Sequence, residues 1–170
     1  MNYTDLVNAV TNYTENTVET SVMNTFITQA EQRIYNTVQF PALRRNVTGY
    51  TIAGNPYLAC PNNFLASYSM AVVNPATGEY EYLLNKDVNF IRQAYPTPTD
   101  TGLPRYYALF GPKVVGSTIS DELSMILGPT PDAIYSVELH YYYYPQSIVD
   151  AGTSWLGDNF DTVLLYGSLV

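Results

Sequence analysis

The sequence predicts an α+β fold in which an N-terminal α-hairpin and a C-terminal helix form a helical bundle, with an antiparallel β-rich lobe inserted between them. Three observations predict it. Apolar residues recur at helical spacing through the first forty residues and again after Asp158. From Val47 onward, short extended runs are punctuated by Gly and Pro, the composition of hairpins. No Gly/Ser-rich linker and no internal repeat separates these parts, so the 170 residues make one domain with two lobes. The helical-bundle lobe takes 1–46 and 153–170, and the β-rich lobe takes 47–152, with a short helix near 87–95.

The first helix starts with Thr4 as N-cap and Asp5 in its first turn, and carries Leu6, Val7, Val10 and Tyr13 on one stripe. The polar stretch from Thr14 to Thr20 breaks it. Ser21 then caps a second helix whose Met23, Phe26, Ile27, Ala30, Ile34 and Val38 form one apolar face, and Pro41 stops it. A helix pair of this length buries little alone, so both stripes need a partner further along the chain or on another subunit.

Two hairpins are predicted next. Ala53-Gly54-Asn55-Pro56 separates Val47 to Ile52 from Tyr57 to Cys60, and Asn74-Pro75-Ala76-Thr77-Gly78 separates Tyr68 to Val73 from Glu79 to Leu84. Asp87 caps a short helix carrying Val88, Phe90, Ile91 and Ala94, and a Pro/Thr-rich loop follows from Tyr95 to Gly102. Further strands are predicted over Tyr106 to Phe110, Glu122 to Leu127 and Ala133 to Tyr144. In the last, a period of two puts Tyr135, Val137, Leu139, Tyr141 and Tyr143 on the buried face, and Ile134, Ser136, Glu138, His140, Tyr142 and Tyr144 on the wetter one. After Pro145 a loop reaches Trp155 and Leu156, and Asp158 or Asn159 caps a helix with Phe160, Val163, Leu164, Tyr166 and Leu169. That helix meets no stop signal before Val170, which predicts a chain cut inside a longer protein.

Composition narrows the function. Seven Lys and Arg stand against fifteen Asp and Glu, a net charge of −8 with no basic stripe, and tight nucleic-acid binding by counterion release is excluded. No apolar run approaches the ~18 residues of a membrane span, and the N-terminus lacks a charged and then apolar leader, so the sequence reads as soluble and without a secretion signal. One cysteine allows no internal disulfide, which fits a reducing compartment. The sequons at Asn2, Asn12 and Asn46 read as chance in an Asn/Thr-rich chain.

The inventory for catalysis is thin. His140 is the only imidazole and lies among tyrosines on the wetter strand face, where it reads as a surface or subunit-contact histidine. Cys60, beside Pro61, reads as a small buried hydrophobe. The carboxylate pairs Glu79 with Glu81, Asp121 with Glu122, and Asp158 with Asp161 could serve a glycosidase or Ca²⁺, yet no calcium loop is present, and Glu79 and Glu81 read as the solvated side of a strand. Nucleotide-binding and zinc-hydrolase motifs are missing as well. The sequence assigns no catalytic residue, no cofactor and no metal, and predicts a protein that is not an enzyme.

What stands out is tyrosine, 17 in all, with Tyr141, Tyr142, Tyr143 and Tyr144 consecutive. Four in a row along a strand expose alternate rings, which suits a protein contact, half-burial in place of Phe, or an aromatic sugar groove.

Three stretches together resemble the head-to-tail adaptor (connector) proteins of short-tailed bacteriophages, the tail tubular protein A class. The first runs from Leu6-Val7-Asn8-Ala9-Val10 through Tyr13-Thr14-Glu15-Asn16-Thr17 to Phe26-Ile27-Thr28-Gln29-Ala30-Glu31-Gln32-Arg33-Ile34-Tyr35. The second is Pro41-Ala42-Leu43-Arg44-Arg45-Asn46-Val47-Thr48-Gly49, continuing through Gly54-Asn55-Pro56-Tyr57-Leu58 to Asp87-Val88-Asn89-Phe90-Ile91-Arg92. The third is Thr153-Ser154-Trp155-Leu156-Gly157-Asp158-Asn159, leading to Leu164-Leu165-Tyr166-Gly167-Ser168-Leu169. Proteins of that class continue past the last segment with more helix, and this chain does not.

The resemblance implies a structural virion protein of the head-tail neck, made in the host cytoplasm. Its copies would form a homo-oligomeric dodecameric ring beneath the portal protein, extend the DNA channel and present a platform for the tail nozzle or tail tube. DNA would pass through without specific binding, past an acidic wall that repels phosphate, and no membrane is involved. On this reading Phe26, Ala30, Ile34 and Leu164 belong to the ring-forming bundle. Tyr141, Tyr142, Tyr143, Tyr144 and Trp155 are candidates for contact with a neighbour or a tail protein. Two rivals stay open: a carbohydrate- or receptor-binding module of a tail fibre or spike, and a glycosidase built on Glu79 or Glu81.

Overall fold

The computed structural model describes residues 1–115 and 118–170, and the side chains of all of these apart from 113–122. In chain order come helices α1 (Tyr3–Thr14) and α2 (Thr20–Thr37), a 3₁₀ turn (Pro41–Leu43), and strands β1 (Arg44–Tyr50), β2 (Tyr57–Ala59), β3 (Phe64–Val73) and β4 (Tyr80–Asn85). Helix α3 (Val88–Ala94) follows, then β5 (Tyr106–Val115), β6 (Thr118–Gly128) and β7 (Ser136–Tyr143), and the short helices α4 (Ile148–Ala151), α5 (Trp155–Asn159) and α6 (Asp161–Leu169).

The predicted helical bundle with an inserted antiparallel lobe is corrected. The protein is a mixed α/β fold dominated by a seven-stranded curled sheet, a half-barrel, with six short helices. Two physical causes account for the difference. The stretch after Pro145 is not only a loop leading to the predicted C-terminal helix, which forms as α6: two further short helices precede it, α4 ended by Gly152, left-handed at φ 76°, and α5 ended by the non-helical Phe160. The sheet is also not purely antiparallel, because α3 and its loop make a crossover that brings β5 back parallel to β4, with Leu84 opposite Tyr106.

The chain forms two compact units, Met1–Leu43 with Tyr144–Val170, and Arg44–Tyr143. In the second, the strand order is β1-β7-β3-β4-β5-β6-β2. The β3–β4 hairpin forms as predicted: Gly78 turns at φ 74°, and the Asn74 amide donates to the Glu79 carbonyl at 2.9 Å. The other predicted hairpin does not. β1 pairs with β7 and β2 pairs with β6, at opposite ends of the sheet. The intervening backbone is committed elsewhere, the Thr51 amide donating to Tyr135 O, the Gly54 amide to Pro131 O, and Pro56 O accepting from Leu127.

The hollow of the half-barrel is its core. Met70, Val72, Leu83, Met125, Leu127, Val137, Leu139 and Tyr141 fill it, all buried, and each large apolar side chain removed from water there is worth roughly 1.5–3 kcal/mol. On the opposite face of β5 and β6, α3 lays Ile91 on Ala108 and Ile126. Gly128 makes that approach possible, since a Cβ there would lie 2.7 Å from Ile91 Cγ2 and 3.0 Å from Tyr95 Cδ2. Asp87 caps α3 as predicted, accepting from the Asn89 amide at 2.7 Å.

In the first unit, α1 is capped by Asn2 rather than Thr4, its side chain accepting from the Asp5 amide. Helix α2 begins after Glu19 rather than Ser21 and buries Met23, Ile27, Ala30 and Tyr35. It also buries a charge-bearing group. Glu31 is 3% exposed, and its carboxylate accepts from Ser147 Oγ at 2.6 Å and the Ile148 amide at 3.0 Å. Burial raises its pKa, and the hydrogen bonds from Ser147 and Ile148 offset that only in part.

Two outcomes follow from this packing. Gly128→Ala should cost about 1–3 kcal/mol in thermal or denaturant unfolding by forcing α3 off the sheet, while Gly49→Ala, with nothing within 4 Å of its Cβ position, should melt like the parent. For Glu31, the native state holds its proton more tightly than the unfolded chain does, whose carboxyl titrates near 4.5. Stability should therefore fall as pH rises from 4.5 through the raised native value, and Glu31→Gln should flatten that dependence in unfolding curves taken across pH 4.5–7.5.

Candidate protein-contact surface

Side chains alternate along a strand, so the register assigns the β1–β7–β3–β4 half of the sheet to two faces. Met70 lies opposite Leu83 and Leu139, on the core side. Ala71 lies opposite Tyr82 and Glu138, Val73 opposite Tyr80 and Ser136, and Tyr50 opposite Ser136, on the outer side. That outer side is uncovered: Tyr50 is 70% exposed, Tyr80 55% and Tyr82 71%. Tyr80 and Tyr82 border a shallow hollow with Ser69, Ala71, Glu138 and His140. Exposed aromatic area of this kind marks a binding surface more often than scattered single residues do.

One cation organises the edge of this face. Arg44 stacks its guanidinium 3.8 Å from the centre of the Tyr68 ring and 5.2 Å from that of Tyr142, and donates from Nε and Nη2 to the Tyr142 hydroxyl at 3.1 and 3.0 Å. Tyr68 meets Tyr142 edge to face at 6.2 Å. Tyr142 is thereby buried, although it points to the wetter face as its position in the strand predicts.

The other residues singled out from sequence are dispersed. Tyr141 is in the core, stacked on Phe64, and Tyr143 is half-buried beneath Arg45, whose guanidinium lies 3.7 Å from the ring centre. Tyr144 donates to Asn36. Ala30 and Leu164 are buried, Ile34 is half-buried, and Phe26 is 44% exposed beside a hollow of about 160 Å³ that Gly167 and Val170 also line. Trp155 sits in an aromatic cluster with Phe40 and Phe160, ring centres 5.0–5.7 Å apart.

The sequence reading missed Tyr50, Tyr80 and Tyr82. It took Glu79 and Glu81 for the solvated side of β4, whereas Glu81 is half-buried and accepts from Asn74 Nδ2 at 2.8 Å, and the tyrosines alternating with it face water. The signal was present in the i, i+2 spacing of Tyr80 and Tyr82. Charge alone assigned the faces the wrong way round.

The groups that could carry chemistry are placed as follows. His140 has a side chain 45% exposed, with Nε2 3.3 Å from Glu138 Oε1. Cys60 is buried, and burial pushes its thiol up to about 11, so it is protonated at neutral pH. Asp158 and Asp161 are exposed, and the Asp161 carboxylate accepts from the Thr162 amide at 2.7 Å. The side chains of Asp121 and Glu122 lie outside the described residues. Among the described residues no cluster of His, Cys, Asp and Glu is arranged to hold a metal, and no helix is long and apolar enough to cross a membrane.

The fold and the site define a mixed α/β protein whose curled sheet carries an exposed tyrosine face, a surface suited to contact with other proteins. The comparison with known families agrees in kind: the model of the SU10 adaptor protein family matches residues 1–170, and the chain belongs to that family of phage adaptors. No curated protein matches the chain. The match carries the adaptor part of the sequence resemblance, and the short-tailed, tail tubular protein A part is finer than it reaches.

Proposed function

We propose that the chain is a structural virion protein rather than an enzyme, a head-to-tail adaptor whose copies assemble into a ring between the portal and the tail nozzle. The observation that carries this reading is membership of the adaptor family along the whole length of the chain. The ring extends the DNA channel, as in the tail tubular protein A class, with twelve copies matching the symmetry that the resemblance implies. The uncovered tyrosines of the outer sheet face supply contact area that loses little rotamer freedom on docking, which suits a repeated subunit or partner interface. The acidity suits the channel, because a net charge of −8 repeated around a ring keeps phosphate from binding the wall within a screening length of about 8 Å. The site of action is the virion neck.

Electron microscopy of the purified protein mixed with its cognate portal should show closed rings docked on the portal. The paired change Tyr80→Ser with Tyr82→Ser should abolish ring closure or tail attachment while shifting stability by no more than about 0.5 kcal/mol, since both rings are solvent-exposed. Saturable sugar binding or polysaccharide turnover by a chain that forms no ring and ignores the portal would contradict the proposal and favour a fibre or spike module.

A further inference from the structure

We propose that the open seam of the half-barrel, between β1 and β2, is a docking groove for an extended segment of a partner protein, which enters as an added strand with a carboxylate against Arg45. β1 and β2 end the sheet, each hydrogen-bonded on one side only, and an unpaired sheet edge is a template for another backbone. Two cavities run along this gap, of about 240 and 390 Å³. Val47, Leu58, Cys60, Val137 and Leu139 give the first an apolar lining. The connection between the two strands is held away from the gap, the Thr51 and Gly54 amides donating to Tyr135 and Pro131, and the Pro56 carbonyl accepting from Leu127.

The walls decide the class of occupant. Two strand edges offer alternating donors and acceptors, which only an extended main chain matches, and apolar residues at every second position of that chain would reach the floor. Charge decides one end. Arg45 lies opposite Tyr141 and Val47 opposite Leu139, so both lie on the core side, with Arg45 at the end of the seam away from the 51–56 connection. Among the described residues no carboxylate lies within 4 Å of the Arg45 guanidinium, which is stacked on Tyr143 in a protein of net charge −8. Two acidic residues of this chain are held internally: Glu81 lies on β4, which is paired on both sides, and Asp100 is tied to Thr97 in a turn. The unpaired Arg45 charge selects as occupant a carboxylate-bearing segment of another protein, and the inference does not depend on the ring.

The test titrates the full chain with synthetic octapeptides of alternating Val and Thr carrying two Asp at either end, read by fluorescence anisotropy and amide hydrogen exchange. Saturable binding with added protection confined to β1 and β2 is expected. Methylating alternate peptide nitrogens should abolish it, and replacing Asp by Lys, or Arg45→Glu in the protein, should weaken it about tenfold. Val47→Lys, at a position 37% exposed, should block the groove without lowering the melting temperature. Absence of binding, insensitivity to N-methylation, or protection elsewhere on the sheet would overturn the proposal. So would loss of self-association in Val47→Lys without peptide, which would make the occupant a second copy.

Discussion

Everything in the sheet-bearing unit depends on filling the hollow of a curled sheet with the sheet's own side chains. Met70, Val72, Leu83, Met125, Val137 and Leu139 meet inside the curl, and that burial settles which side of every strand can be wet. Once the inner face is committed, the outer face must be covered by something else or left to water. Helix α3 covers β5 and β6, with Gly128 allowing the close approach. No described element of this unit covers the outer face of β1, β7, β3 and β4, and that is where the exposed tyrosines stand.

Local elements were more legible in the sequence than their assembly. The cap at Asp87, the Asn74 to Gly78 turn and the buried face of β7 follow from residue type and a period of two, all of them short-range. The pairing of β1 with β7, as Arg44 with Tyr142, and the parallel entry of β5, as Leu84 with Tyr106, are non-local choices, made by which strand edges find each other along the chain. A Gly-Asn-Pro run between two extended segments reads as a hairpin because nothing local reveals that the Thr51 and Gly54 amides bond Tyr135 and Pro131, leaving only the Asn55 amide to close the turn on Ile52. The C-terminal helix was legible as α6, while the two short helices before it were not, because pieces of about one turn ended by Gly152 and Phe160 are too short to show a period.

The contact surface was half legible. Tyrosine abundance pointed to contacts between proteins, but the run at 141–144 that drew the eye is mostly occupied internally, by Phe64, Arg44, Arg45 and Asn36. A cation on an edge strand can bury an aromatic ring that periodicity leaves exposed, and sequence spacing has no access to that pairing. The exposed rings lie instead on β1 and β4. Family membership supplies what geometry alone does not, the adaptor role, and geometry adds which aromatic residues stand exposed on the sheet.

The central claim is that the outer tyrosine face is covered in the working assembly. Chemical nitration of tyrosines, quantified by mass spectrometry on the isolated chain and on intact virions, tests it most directly. The account predicts that Tyr50, Tyr80 and Tyr82 react readily in the isolated chain and are protected in the virion, with buried Tyr107 unreactive in both. Equal reactivity of the three in both states would contradict it.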